Sequence, residues 1–278
     1  MKDVAAALRA ATQTLQAGSD TAALDAQLLL ALVTGRGRAW LLAHGEFPLT
    51  DAQTRRLSAL VARRAGGEPL AYLRRRQAFF DRAFHVSPAV LIPRPESEQL
   101  LEQALAHTPP DFNGTLAEIG TGSGALGITF AALRPRARVI LTDISPAALA
   151  VARINAARHR VRVTFRQGDM LQPLLQRSER VDMLLANLPY VSSEDLPQLA
   201  VSRHEPWLAM DGGPDGMALN RRLLRALSRV CQPGALALLE IGMLQGAEAL
   251  RLAQALRPRQ AQVLQDLAGL DRVLRVEL

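Results

Sequence analysis

The chain has 278 residues, 49% of them hydrophobic and 21% charged, the profile of a soluble globular protein with one large domain or two ordinary ones. No apolar run approaches the roughly 20 residues of a bilayer span; the N-terminal stretch with its early Asp3 does not read as a signal peptide; and a lone Cys231 excludes an intrachain disulfide or a cysteine metal cluster, so a cytoplasmic protein with no membrane partner is expected. The net charge is +7 and Lys2 is the only lysine among 33 basic residues; such a surface steers acidic or RNA-associated partners, but aromatics at 4% argue against one built to stack single-stranded bases.

In chain order, residues 1–75 read as a helical module. Val4, Leu8, Ala11 and Leu15 repeat at helical spacing. Ser19-Asp20 is placed to cap a second helix that carries Leu24, Leu28 and Leu32 as its apolar stripe, until Gly35 and Gly37 interrupt it. Thr50-Asp51 opens another, with Leu57, Leu60 and Val61 inward, Arg55, Arg56, Arg63 and Arg64 outward, and Gly66-Gly67 at its end. Those arginines form either a solvated face or a partner-docking face. Residues 76–95, with Phe79, Phe80, Phe84, Val86, Val90, Leu91 and Ile92, suggest a short hairpin or extended connector. A helix is predicted over 96–107 and a break at Thr108-Pro109-Pro110. Beyond it, strands at 116–119, 139–142, 161–167, 181–186, 235–241 and 273–278 alternate with helices at 125–133, 146–157, 219–230 and 247–256. That alternation implies an α/β fold with a doubly wound sheet. The five histidines are scattered without a ligand pair, and no metal is expected.

Glu118-Ile119-Gly120-Thr121-Gly122-Ser123-Gly124 falls between a predicted strand and a predicted helix. Glycines let the backbone turn tightly beside a ligand, and helix-terminal N–H groups then face it. The nested G-x-G-x-x-G of Gly122, Gly124 and Gly127 also fits a nicotinamide dehydrogenase. The acidic residue two before the first glycine shifts the balance: E-x-G-x-G-x-G resembles the first motif of class I S-adenosylmethionine-dependent methyltransferases. The next strand ends at Asp143, which either accepts the hydroxyls of an adenosine ribose or caps the helix starting at Pro146. In methyltransferases the turn matching Gln167-Gly168-Asp169-Met170 borders the adenine; Asp169 is an acceptor for its amine or a turn residue, and Met170 is placed to pack on the ring.

The strand at 181–186 runs into Asn187-Leu188-Pro189-Tyr190. A strand ending in N-x-P-Y after such a glycine loop resembles methyltransferases that modify planar nitrogens. The lone pair of an amide or aryl amine is delocalised and a poor nucleophile. Two hydrogen-bond acceptors can instead hold its two N–H groups and aim the nitrogen. The Asn187 side-chain oxygen is one and the Leu188 carbonyl, extended ahead of proline, is the other; Tyr190 can pack on the flat group.

Further segments narrow the resemblance: Gly67-Glu68-Pro69-Leu70-Ala71-Tyr72-Leu73, Val90-Leu91-Ile92-Pro93-Arg94-Pro95-Glu96-Ser97-Glu98, Glu205-Pro206, Gly212-Gly213-Pro214-Asp215-Gly216, Glu240-Ile241-Gly242 with Gln245, and Asp266 to Arg272. Together they look like the HemK/PrmC family of protein-(glutamine-N5) methyltransferases over nearly the whole chain. The resemblance implies a class I methyltransferase domain at 96–278, a connector at 76–95 and a helical substrate-recognition domain at 1–75. It implies S-adenosylmethionine as donor, S-adenosylhomocysteine as product, and the glutamine of the Gly-Gly-Gln motif of class I peptide chain release factors as acceptor. Gly120, Thr121, Gly122, Ser123, Gly124, Asp143, Asp169, Met170 and Asn187 would then contact the donor. Asn187, Leu188, Pro189 and Tyr190 would bind the glutamine, and Pro93, Arg94 and Glu98 would wall its pocket, unless Arg94 and Glu98 form only a connector salt bridge. A monomer needing no nucleic acid is expected.

Four positions depart from the family pattern. Leu188 stands where N-P-P-Y has proline, Met170 where relatives commonly carry an aromatic ring, and Arg75 and Asp81 where they commonly carry glycine. N-L-P-Y is also the form found in ribosomal RNA adenine dimethylases, so an RNA or DNA adenine-N6 methyltransferase is the main rival. A ribosomal-protein glutamine methyltransferase and an RNA-binding module with a relic fold are the others.

Overall fold

A computed structural model describes residues Asp3–Leu278, and the chain divides into two compact units, Met1–Arg75 and Arg76–Leu278. Among the described residues no helix is long and apolar enough to cross a membrane.

The first unit contains α1 (Val4–Leu15), α2 (Ala22–Thr34), α3 (Arg38–Ala43), α4 (Asp51–Ala65) and α5 (Leu70–Arg74). Asp3 caps α1 by accepting from the Ala6 N–H at 2.7 Å, and Thr50 and Gln53 form a reciprocal capping box on α4. Leu57, Leu60 and Val61 are buried, as their spacing predicts. α2 turns a different face inward from the expected one. Its buried stripe is Ala22, Asp25, Ala26, Leu29, Leu30 and Val33, while Leu24 is exposed. The reason is Asp25, whose carboxylate accepts from Ser19 Oγ at 2.9 Å, Thr21 Oγ1 at 3.1 Å and Arg64 Nε at 2.7 Å. A buried carboxylate needs that set of partners. It draws Arg64 inward, against expectation, and diverts Ser19 from capping; Thr21 is the N-cap residue and makes no side-chain cap bond. Arg75 takes a left-handed turn, with φ 50°, at the end of α5.

The second unit opens with a hairpin of β1 (Gln77–Phe79) and β2 (Arg82–Phe84), closed on the buried rings of Phe79 and Phe84. An extended run leads to a single 3-10 turn, Pro95–Ser97, and α6 (Glu98–His107). Then follow β3 (Thr115–Ile119), α7 (Ala125–Leu133), β4 (Arg138–Asp143), α8 (Pro146–His159), β5 (Thr164–Gln167), α9 (Gln172–Leu175), β6 (Val181–Ala186), α10 (Ala218–Ala226), β7 (Cys231–Glu240), α11 (Gly246–Gln254), β8 (Gln260–Gln265) and β9 (Asp271–Glu277). The sheet order is β5-β4-β3-β6-β7-β9-β8; the first five strands are parallel, and β9 runs antiparallel to both of its neighbours, β7 and β8. β8 has no counterpart in the sequence reading, because its run Gln-Ala-Gln-Val-Leu-Gln is short and largely polar and lies at the sheet edge.

The central strands are buried on both faces: Leu116, Ala117 and Ile119 of β3 and Met183, Leu184, Leu185 and Ala186 of β6 are all nearly inaccessible. Cys231 is buried at the start of β7, and burial pushes its thiol up to about 12. Chain connections leave β3 toward β4 on one side and β6 toward β7 on the other, so the sheet reverses direction between β3 and β6. A crevice beyond the carboxyl ends of such strands is where open α/β sheets take ligands.

Candidate active site

Ile119 and Ala186 are register partners on adjacent parallel strands. The chain leaving β3 begins at Gly120 and the chain leaving β6 begins at Asn187, so the two motifs start side by side. A Cβ on Gly120 would lie 3.0 Å from Leu188 Cδ2 and 3.9 Å from the Asn187 carbonyl. Gly120, Gly122 and Gly124 all have positive φ, at 70°, 52° and 81°, which favours glycine at each. A Cβ on Gly122 would meet nothing within 4 Å, so its backbone fronts open space.

That space is a cavity of about 370 Å³, within the range of small-ligand sites. Gly120, Thr121, Gly122, Ser123, Asp143, Asp169, Met170, Asn187, Leu188, Pro189 and Pro93 line it. Four expected site residues do not. Gly124 is the N-cap of α7, where a Cβ would sit 2.5 Å from Ile128 Cδ1 and 3.3 Å from Ala152; it lets the helix start against α8. Arg94 pairs with the buried carboxylate of Glu205, which also accepts the Ile92 N–H at 3.0 Å. Glu98 accepts the Phe80 N–H at 2.7 Å and closes the hairpin turn. Tyr190 turns its hydroxyl to Glu240, and burial pushes that hydroxyl up to about 12.

The polar groups along the cavity are held by short local bonds. Glu118 is buried, and its Oε2 accepts Thr121 Oγ1 at 2.6 Å and the Gly127 N–H at 3.0 Å. Burial raises its carboxyl to about 7 against those two bonds. Asp143 at the end of β4 accepts the Gly122 N–H at 2.8 Å and the Ser145 N–H at 2.9 Å. Burial raises it too, opposed by those N–H groups. It is not the cap of α8; Ser145 is, accepting the Ala148 N–H at 3.1 Å. Asp169 is paired with Arg222 of α10 across the cavity edge.

Asn187 donates through Nδ2 to Ser97 Oγ at 2.9 Å. Its oxygen is the end left over for a substrate. Ser97 also lines the cavity, and its hydroxyl donates to Glu240 Oε2 at 2.6 Å. Sequence reasoning missed Ser97, Glu240 and Arg222 as site residues. Ser97 and Glu240 stood inside quoted motifs, but only their convergence over 143 residues of chain gives them a role.

Residues 6–74 match a family model described as the PrmC N-terminal domain, and residues 111–265 one described as a methyltransferase domain. The chain is similar to a release factor glutamine methyltransferase of Moorella thermoacetica, 45% identical over 271 residues that cover 96% of this chain and 95% of that protein. It is 37% identical to the protein of the same description from Coxiella burnetii over 275 residues, 99% of this chain and 98% of that one. Two solved structures share the fold at 16% identity and a TM-score of 0.54. One is a methyltransferase from Pyrococcus furiosus, covering 79% of this chain and 96% of that one. The other is a T. thermophilus 16S rRNA methyltransferase in complex with AdoMet and guanosine, covering 73% of this chain and 49% of that one.

Proposed function

The chain belongs to the family of release factor glutamine methyltransferases, and on that premise we propose how its residues carry the reaction. It is an enzyme that transfers a methyl group from S-adenosylmethionine to the side-chain amide of a release-factor glutamine. The donor supplies a methyl group made electrophilic by a positively charged sulfur. The residues present fit it: the glycine loop offers backbone without side-chain obstruction at Gly122, and Asp143 stands at the end of β4 beside that loop. Gly120, Thr121, Gly122 and Ser123 cradle the donor, Asp143 accepts from its ribose, and Met170 packs on its base.

Asn187 Oδ1 and the Leu188 carbonyl accept the two N–H groups of the glutamine amide, and so fix its plane with the nitrogen toward the donor. A neutral amide needs no base before transfer, because the alkylated product is acidic enough to lose its proton to solvent. The buried apolar wall around Leu188 excludes water where charge is lost. Tyr190 sits behind this corner, bonded to Glu240, and holds the loop rather than stacking on substrate. The acceptor is the glutamine of the Gly-Gly-Gln motif of class I factors, the helical unit serves recognition, and the protein works as a cytoplasmic monomer without nucleic acid.

The observation that carries this reading is the adjacency of Gly120 and Asn187, the residues that follow the register partners Ile119 and Ala186. It supports reading the two loops, side by side on the sheet, as donor cradle and acceptor corner. The test is incubation with labelled S-adenosylmethionine and a class I release factor, the same factor with its motif glutamine changed to alanine, or ribosomal RNA. Label on the first alone is expected. Label on RNA, or undiminished label on the altered factor, would overturn the assignment.

A further inference from the structure

The parallel strands β6 and β7 pair Ala186 with Leu239, so Glu240 follows beside Asn187. Glu240 is 1% exposed and Ser97, between the two, 4%. The direction of each hydrogen bond in this trio is set by chemistry. A carboxylate only accepts, so the Ser97 proton is committed to Glu240 at 2.6 Å. The lone pair of Ser97 Oγ is then what Asn187 meets at 2.9 Å, and only the NH2 end of the carboxamide can satisfy it. Turning the amide by half a revolution would set two oxygen lone pairs against each other. Burial raises the Glu240 carboxyl above its ordinary range; the hydrogen bonds from Ser97 and the Tyr190 hydroxyl and the Arg272 charge oppose that rise by favouring the ionised carboxylate, and the Glu96 charge adds to it.

We propose that Ser97 and Glu240 are positioning residues for methyl transfer, a one-way hydrogen-bond chain that holds the Asn187 carboxamide with its oxygen toward the incoming glutamine. The inference rests on the acceptor role of Asn187 proposed above. The chain also strengthens the acceptor, because an NH2 group donating toward a buried carboxylate polarises the amide and enriches its oxygen. Positive charge arrives on the substrate nitrogen as the methyl bond forms, and an electron-rich acceptor on its N–H stabilises that charge more than it stabilises the neutral amide.

Three variants test this. S97A removes the bridge, S97T keeps the hydroxyl, and E240Q offers Ser97 an NH2 donor, freeing the hydroxyl proton to turn toward Asn187 and admit the flipped amide. Steady-state methylation of a class I release factor gives kcat and both KM values, and calorimetry gives S-adenosylmethionine affinity. S97A and E240Q should lower kcat about tenfold or more, with donor affinity within about threefold of the parent, and S97T should restore kcat to within about threefold. In a pH series, the parent should lose kcat on the acid side as Glu240 protonates, and E240Q should lack that limb. The proposal is overturned if S97A keeps kcat within twofold of the parent, or if S97T is as slow as S97A, which would make the site one of packing alone. Should E240Q fail to bind donor, the S97A and S97T pair decides by itself. An inactive N187A beside a fully active S97A would sink only this inference; failure of the parent to label the release factor would sink the reading beneath it.

Discussion

Asn155 holds the backbone of His85 with both ends of its side chain. Its Oδ1 accepts the His85 N–H at 2.6 Å, and its Nδ2 donates to the His85 carbonyl at 2.9 Å. The same Nδ2 donates to the Ser123 carbonyl at 2.9 Å. Asn155 is fully buried on α8. It therefore fastens the connector that supplies Ala89, Val90, Leu91 and Pro93 to the cavity directly onto the glycine loop.

Replacing Asn155 leaves three backbone groups without their partner. Asn155→Ala should cost about 2–4 kcal/mol of stability, measured by urea unfolding. Asn155→Asp should not rescue it, because a carboxylate cannot donate to the two carbonyls. A loss below about 0.5 kcal/mol, the ordinary range of surface substitutions, would show that the connector is not held this way.

Gly127 of α7 and Gly122 of the loop should fail in different ways. A Cβ on Gly127 would lie 2.4 Å from Leu141 Cδ2 and 2.6 Å from Glu118 Oε2, so α7 could no longer approach the sheet. Gly127→Ala should lower stability by about 1–3 kcal/mol, as overpacked cores do. Gly122→Ala meets no protein atom at φ 52° but projects into the cavity where the donor is proposed to lie. It should weaken S-adenosylmethionine binding well before it lowers the melting temperature. Equal effects of the two on melting would contradict the assignment of Gly122 to the cradle.

Glu118 predicts a pH dependence whose sign is fixed. Its carboxyl is raised from 4.5 to about 7 in the folded chain. Its stabilising contribution is therefore complete below pH 4.5 and is lost as pH rises through 7, on the order of 3 kcal/mol in all. Glu118→Gln keeps an oxygen for Thr121 and Gly127 and should flatten stability across that window. A cationic donor prefers the ionised form, so S-adenosylmethionine affinity should rise from pH 6 to 8 in the parent and stay level in the variant. Calorimetry in two buffers would detect the released proton; parallel pH profiles for parent and variant would count against Glu118.

At the acceptor corner, Asn187→Ala should lower kcat about 10²-fold or more while donor affinity changes little. Leu188→Pro keeps the carbonyl proposed to accept from substrate and should retain transfer to within about tenfold. It should cost about 1–3 kcal/mol of stability, because the Leu188 side chain is buried in the sheet core. If Leu188→Pro were as inactive as Asn187→Ala, the carbonyl would not be the feature that matters.

Much of the candidate site was legible because it is local. Gly120 to Ser123 and Asn187 to Pro189 line the cavity as contiguous runs at strand ends, and burial on both faces marks those strands in the sequence. The face of α2 was not legible, because leucines and alanines surround that helix and only Asp25, satisfied by Arg64 from 39 residues away, selects the buried side. The partners of Tyr190 and Arg94 were not legible for the same reason: each meets a buried carboxylate, Glu240 or Glu205, that no spacing rule connects to it. Asp169 is engaged by Arg222 across 53 residues. Backbone geometry at a strand end can be read from neighbours in the chain; the choice of ion-pair partner depends on which distant elements the sheet order brings together.

The sole sulfhydryl of the molecule, Cys231, is sealed at the head of a central strand with its proton held up to about 12. An aromatic disulfide reagent in neutral buffer should meet almost no thiolate while the strand is in place. The chain thus carries a single-hit chemical clock: its modification rate times the opening of the sheet that supports Asn187 and Glu240, with no label to be engineered in.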